Sequence, residues 1–125
     1  HMDKAVEALQ YLDKAILISP DLDLAWTNKG NILQELRKLD QADECFNKAL
    51  ALNPLSQEAL IGRGNLRNEN KEYQLALEDF DRALKLNPSN SQAKWNKALS
   101  LLRLGNFIEG WKLYESRWEI RHARA

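Results

Sequence analysis

Pro20, Pro54 and Pro88 are the three prolines of this chain, and each lies 34 residues from the next. A sequence that returns to the same residue type at a fixed period of this length is an array of one small unit. Such a unit cannot bury its apolar face alone, so neighbours stack, and the array presents surface rather than enclosing a reaction chamber.

More than proline recurs. Five, eight and twelve residues before the prolines stand Ala15, Leu12 and Ala8, then Ala49, Phe46 and Ala42, then Ala83, Phe80 and Ala76. Small, large, small at i, i+4 and i+7 marks one face of a helix. The alanines admit a neighbouring helix and the large side chain fills the space between. Proline then ends the helix, because it has no N–H and its ring collides with the preceding turn. Ten residues after the prolines come Gly30, Gly64 and Ala98, and four before the first two come Trp26 and Leu60. Glycine inside a helix costs about 1 kcal/mol relative to alanine, so its recurrence predicts a close contact between two helices.

The run Trp26, Gly30, Ala42, Phe46, Ala49, Pro54, and its echo in Gly64, Ala76, Phe80, Ala83 and Pro88, resembles the tetratricopeptide repeat family. The resemblance covers almost the whole chain. It implies an all-α solenoid of antiparallel helix pairs wound into a right-handed superhelix. There are departures. Lys29, Arg63 and Lys97 stand where the family often has Leu, Arg67 where Tyr or Leu is usual, and Lys94 in the tryptophan position. Gly110 and Arg117 replace the two alanines of the last unit, which is therefore atypical, as terminal units tend to be.

The period predicts seven helices in one domain, 1–125: a first helix at 3–18, then pairs at 23–36 with 40–52, 57–69 with 73–86, and 91–104 with 107–121. His1-Met2 reads as a tag remnant; a half repeat covers 3–22, and whole repeats cover 23–56, 57–90 and 91–125. Both ends read as cuts through a longer array. Ser89-x-x-Gln92 and Asn106-x-x-Glu109 have the form of capping boxes. Gly105 suits a left-handed helix stop.

Composition removes several functions. Charged residues make up 29% of the chain and cancel to a net charge of zero, so there is no basic field for nucleic acid. No apolar run is long enough to span a membrane, and the expectation is a cytoplasmic protein. Cys45 is the single cysteine, which excludes an internal disulfide, and it reads as a small core residue beside Phe46. His122 has no partner at metal-ligand spacing, and Gly62 and Gly64 lie inside a helical pattern rather than in a phosphate loop. The reading is of a non-enzyme with no metal and no cofactor.

Successive helical residues turn by about 100°, so a second face adjoins the packing face of each first helix. It holds Leu24, Thr27, Asn28, Asn31, Gln34 and Glu35, then Glu58, Ile61, Gly62, Asn65, Asn68 and Glu69, then Gln92, Trp95, Asn96, Leu99, Leu102 and Arg103. The family resemblance implies that this face lines a concave groove for an extended peptide or a partner helix. Asparagine is a poor helix former, yet five asparagines crowd this face. A carboxamide both donates and accepts, so the row can hold a peptide backbone. Asn28 and Asn96 resemble the asparagine ladder in the tetratricopeptide array of O-linked N-acetylglucosamine transferase, and Gly62 interrupts that ladder. The alternative is that the amides bond between neighbouring helices. Trp95 stands one residue after the tryptophan position and forms a stripe with Leu99 and Leu102, either an anchor for a ligand or packing against the next helix. A carboxylate clamp is disfavoured, since Arg103 is the face's one cation among several glutamates.

The expected role is a protein-interaction scaffold with a protein or peptide partner. Two alternatives stand beside it. One is a substrate-recruiting region of a larger enzyme such as a glycosyltransferase, suggested by the segment from Gly110 to Trp118. The other is an oligomerisation module acting through terminal helices, with Trp111, Tyr114 and Trp118 as an apolar stripe.

Overall fold

The computed structural model describes residues 2–105. Six α-helices and no strand occur among them: α1 Met2–Ile18, α2 Asp23–Glu35, α3 Leu39–Leu52, α4 Gln57–Glu69, α5 Tyr73–Leu86 and α6 Ser91–Arg103. Each begins and ends within a residue or so of the bound expected from the period. The seventh expected helix, at 107–121, lies outside the described residues, as do Trp111, Tyr114, Trp118 and the Asn106 capping box.

Helices α2 with α3, and α4 with α5, form the two complete pairs, and every helix also packs on the next in sequence. The first helices α2, α4 and α6 touch one another in turn. The small–large–small faces are the core: Ala42, Phe46 and Ala49 of α3, and Ala76, Phe80 and Ala83 of α5, are wholly buried. Ala8, Leu12 and Ala15 of α1 are only half-buried, because among the described helices α1 packs on α2 alone. Trp26 bridges the two core clusters and donates its indole N–H to the Pro20 carbonyl at 2.9 Å.

The two phenylalanines explain the glycines. A Cβ on Gly30 would lie 2.8 Å from Phe46 Cε1, and one on Gly64 would lie 2.6 Å from Phe80 Cε1. Gly62 belongs to the same set: a Cβ there would come within 2.5 Å of Phe46 Cε1. Phe46 is therefore gripped by backbone from its own repeat and from the next. Gly62, where the asparagine row is interrupted, is thus buried against this ring.

The period extends into the backbone. Arg37, Lys71 and Gly105, 34 residues apart, follow the three first helices with φ of 64°, 62° and 83°. At the first two turns a Schellman pair closes the helix. Lys38 N–H donates to Leu33 O and Arg37 N–H to Gln34 O, and Glu72 N–H donates to Arg67 O and Lys71 N–H to Asn68 O. The N-caps are phased too. Ser56 Oγ accepts from Ala59 N–H and Asn90 Oδ1 from Ala93 N–H. Ser89 is thus not the cap of α6; its N–H and hydroxyl both go to Asn87 Oδ1 in the turn before it.

Three of the departures from the family pattern, Lys29, Arg63 and Lys97, fall on one polar seam. Lys29 Nζ lies 2.7 Å from Asp13 Oδ1, Arg63 Nη1 donates to Asn47 Oδ1 at 2.9 Å, and Lys97 Nζ lies 2.7 Å from Asp81 Oδ1. Each cation sits on a first helix and reaches the preceding second helix, so the seam ties each repeat to the one before. In the middle repeat Arg63 also forks onto Asp79 (Nε to Oδ2 3.0 Å, Nη2 to Oδ1 2.7 Å), and Arg67 Nη1 reaches Oδ2 at 2.9 Å. Asp79 is 1% exposed. One period earlier, the places of Arg67 and Asp79 are taken by Leu33 and Cys45, both buried.

Candidate functional site

Helices α2, α4 and α6 present their second faces to a common cleft. It has a volume of about 280 Å³ and is lined by Asn31, Gln57, Glu58, Ile61, Gly62, Asn65, Asn90 and Gln92. No residue of α3 or α5 contributes. The cleft exists because the second helices are held behind the first by Phe46 and Phe80, which leaves the first-helix faces side by side.

The expected groove residues divide into three groups. Asn31, Ile61 and Asn65 line the cleft, and Asn28, Glu35, Leu99 and Arg103 are exposed on the same helices. A second group is spent on the array itself. Asn96 Nδ2 donates to Asn65 Oδ1 at 2.6 Å, and Ser100 Oγ donates to Asn68 Oδ1 at 2.6 Å. Asn68 Nδ2 reaches the Asn96 carbonyl at 3.4 Å. These bonds zip α4 to α6. Trp95 is half-buried beside them. The third group is Thr27 alone, which is 1% exposed and donates its hydroxyl to the Asp23 carbonyl at 3.0 Å. Its side chain stays within the packing, and it is not among the cleft's lining.

Gln57 and Asn90 escaped the periodic reading. They stand at the helix starts, where the pattern of helical faces is weakest. Asn90 Nδ2 donates to Gln57 Oε1 at 3.1 Å, which closes one end of the cleft. The recurrence of polar residues one period apart at 56 and 90 is the signal that could have found Asn90.

The electrostatics of this face are set by carboxylates. Glu69 is engaged, bonded by Arg37 and by Gln34 Nε2 at 3.0 Å. Glu35 and Glu58 have no ion-pair or hydrogen-bond partner among the described residues. Arg63 and Arg67 point away and are held by Asp79. The Cys45 thiol is buried, and desolvation pushes its pKa up despite the nearby Lys29 charge, so it is protonated and inert at neutral pH. No group of His, Cys, Asp and Glu able to hold a metal ion occurs among the described residues. No described helix is long and apolar enough to cross a membrane.

With the helix pairs, their glycine contacts and the cleft described, comparison with known proteins defines the class. The sequence matches the tetratricopeptide repeat family over residues 27–90 and 69–114. The chain belongs to that family. No curated protein matches it. Among solved structures it is similar to a tetratricopeptide repeat protein from Parabacteroides merdae, with 28% identity and a TM-score of 0.82. That match covers 92% of this chain and 45% of the other, so this chain spans less than half of that protein. It is also similar to the first tetratricopeptide domain of Spaghetti (RPAP3) bound to the HSP90 peptide SRMEEVD, with 27% identity, a TM-score of 0.79, and 83% and 82% of the two chains covered. MamA 41-end from Desulfovibrio magneticus RS-1 shares the fold at 16% identity and a TM-score of 0.83, covering 98% of this chain and 69% of that one.

Proposed function

We propose that this chain is a protein-interaction scaffold that holds an extended peptide in the groove formed by α2, α4 and α6. The observation that carries the reading is the cleft itself: three first helices contribute carboxamides to one concavity, and none of the second helices enters it. Amides fixed on packed helices can bond a peptide backbone with little ordering cost. The Asn65–Asn96 and Asn68–Ser100 bonds support this, since they hold α4 and α6 at a set spacing beside the cleft. In this reading the groove residues are Asn28, Asn31, Glu35, Glu58, Ile61, Asn65, Gln92, Leu99 and Arg103, with Gln57 and Asn90 added. A seventh helix at 107–121 and a right-handed superhelix complete the proposal.

The similar domain of Spaghetti (RPAP3) carries a peptide, SRMEEVD, that ends in three acids within its last four residues. The groove here holds free Glu35 and Glu58 and, among the described groove residues, Arg103 as the sole cation. An acidic tail is therefore not its ligand.

Photo-crosslinking residues at Asn31 and Gln92, compared with the exposed α5 positions Gln74 and Glu78, test the reading in the native cells. Adducts concentrated at the first two support it, and equal adducts from α5 reject it. A second reading has its own observation. Tyr11, Leu17 and Ile18 of α1 are 66%, 83% and 82% exposed, an apolar surface suited to self-association. Sedimentation over a range of concentrations decides it; a strictly monomeric chain removes this reading.

A further inference from the structure

The cleft has an uneven chemistry. Asn31, Gln57, Asn65, Asn90 and Gln92 line it with carboxamides, and Glu58 is the one charged residue among its lining. Glu58, Asn31 and Gln92 have no side-chain partner among the described residues, and Glu58 and Gln92 are exposed. Three nearby guanidiniums are committed elsewhere: Arg63 and Arg67 to Asp79, and Arg37 to Glu69. The cleft is thus anionic at one point, with the unengaged amides of Asn31 and Gln92 in the same lining and no cation among its lining residues. A first-turn glutamate also favours its own helix electrostatically, so Glu58 has a modest structural use, but that use does not call for facing amides on two other helices.

We propose that this cleft takes a lysine or arginine side chain of the bound segment, with the charged head on the Glu58 carboxylate and further N–H donors on the amide oxygens of Asn31 and Gln92. An ammonium or guanidinium brings three to five donors and no acceptor, which matches the Glu58 carboxylate with the unengaged amide oxygens of Asn31 and Gln92. A carboxylate entering the same place would meet repulsion from Glu58 with no cation to offset it. The ligand is therefore an extended segment of neutral or basic sequence with at least one long cationic residue. This rests on the reading of the first-helix face as a peptide groove, and the experiment separates the two.

Random dodecapeptides displayed on phage are selected against the wild-type protein. The recovered peptides are then synthesised and titrated by fluorescence anisotropy against wild type, Glu58→Gln and Gln92→Arg, with circular dichroism confirming that both surface variants fold. The expected result is enrichment of Lys and Arg over Asp and Glu in the recovered peptides. Affinity falls about threefold to fivefold in Glu58→Gln, the size expected of a partly exposed ion pair, and the deficit shrinks as salt rises. Gln92→Arg, which places a rival cation in the cleft, weakens binding by more than about tenfold. Recovered peptides that Gln92→Arg blocks but that carry no basic residue, or that are indifferent to Glu58→Gln, overturn the cation site and leave the groove standing. Peptides that bind Gln92→Arg as well as wild type, or a selection that yields none, overturn the groove and the cation site together.

Discussion

Asp79 offers the sharpest test of how this array balances polar against apolar packing. Its carboxylate is 1% exposed and accepts from Arg63 twice, at 3.0 and 2.7 Å, and from Arg67 at 2.9 Å. The two guanidiniums are themselves mostly covered, with side chains 15% and 21% exposed. Asp79→Cys removes the only anion between them. Breaking a buried ion pair from one side costs about 3–5 kcal/mol, and the residual exposure of the arginines puts this site near the lower end. The preceding repeat shows the remedy, because Leu33 and Cys45 fill the same places there without charge. Arg67→Leu with Asp79→Cys therefore restores an apolar contact, while Arg63 keeps its bond to Asn47 as Lys29 keeps its pair with Asp13. Replacing buried ionic groups by apolar residues is frequently neutral or stabilising, but Arg63 here loses its carboxylate, so the double variant should recover more than half of the Asp79→Cys loss and stay below wild type. Urea unfolding of wild type, both single variants and the double variant, under reducing conditions, gives the coupling energy directly. A double variant as unstable as the sum of the singles would refute the reasoning, as would an Asp79→Cys cost below about 0.5 kcal/mol.

Lys71 sits at φ 62° in a helix-ending turn where its phased equivalent is Gly105; Lys71→Gly should raise stability by up to about 1 kcal/mol, and a lower melting temperature would contradict this. The converse, Gly105→Ala at φ 83° with no atom within 4 Å of the new methyl, should cost about 1 kcal/mol through backbone strain alone. Gly62→Ala gains helix propensity but drives a methyl to 2.5 Å from Phe46 Cε1, so a net loss of about 1–2 kcal/mol is expected, and a stabilised variant would show that Phe46 yields. Cys45 should resist Ellman's reagent in the native protein at pH 8 and react on unfolding, because burial holds the thiol protonated; prompt native labelling would show the core to be open there.

The repeat fold was legible because one proline, one large residue and two alanines recur at a single spacing, and each has a separate physical reason to be where it is. The helix bounds followed from the same ruler. The groove was less legible. Helical phase placed Asn65, Asn68 and Asn96 on one face, but phase does not tell whether an amide looks outward or toward the next helix; the Asn96–Asn65 bond is a relation between residues 31 apart. The packing role of Gly62 was not legible for a related reason, since it depends on the ring of Phe46 arriving from another helix. Lys29, Arg63 and Lys97 looked like departures from a family pattern, and only the neighbouring helix shows them to be a phased seam of their own.

The central claim is that ligand binds the first-helix groove. Amide chemical-shift mapping by two-dimensional NMR, with a peptide recovered on the wild-type protein, tests it most directly. Shifts should cluster at Asn31, Ile61, Asn65 and Gln92, across α2, α4 and α6. Shifts confined to the outer faces of α3 and α5, around Asn47, Glu78 and Arg82, would contradict it.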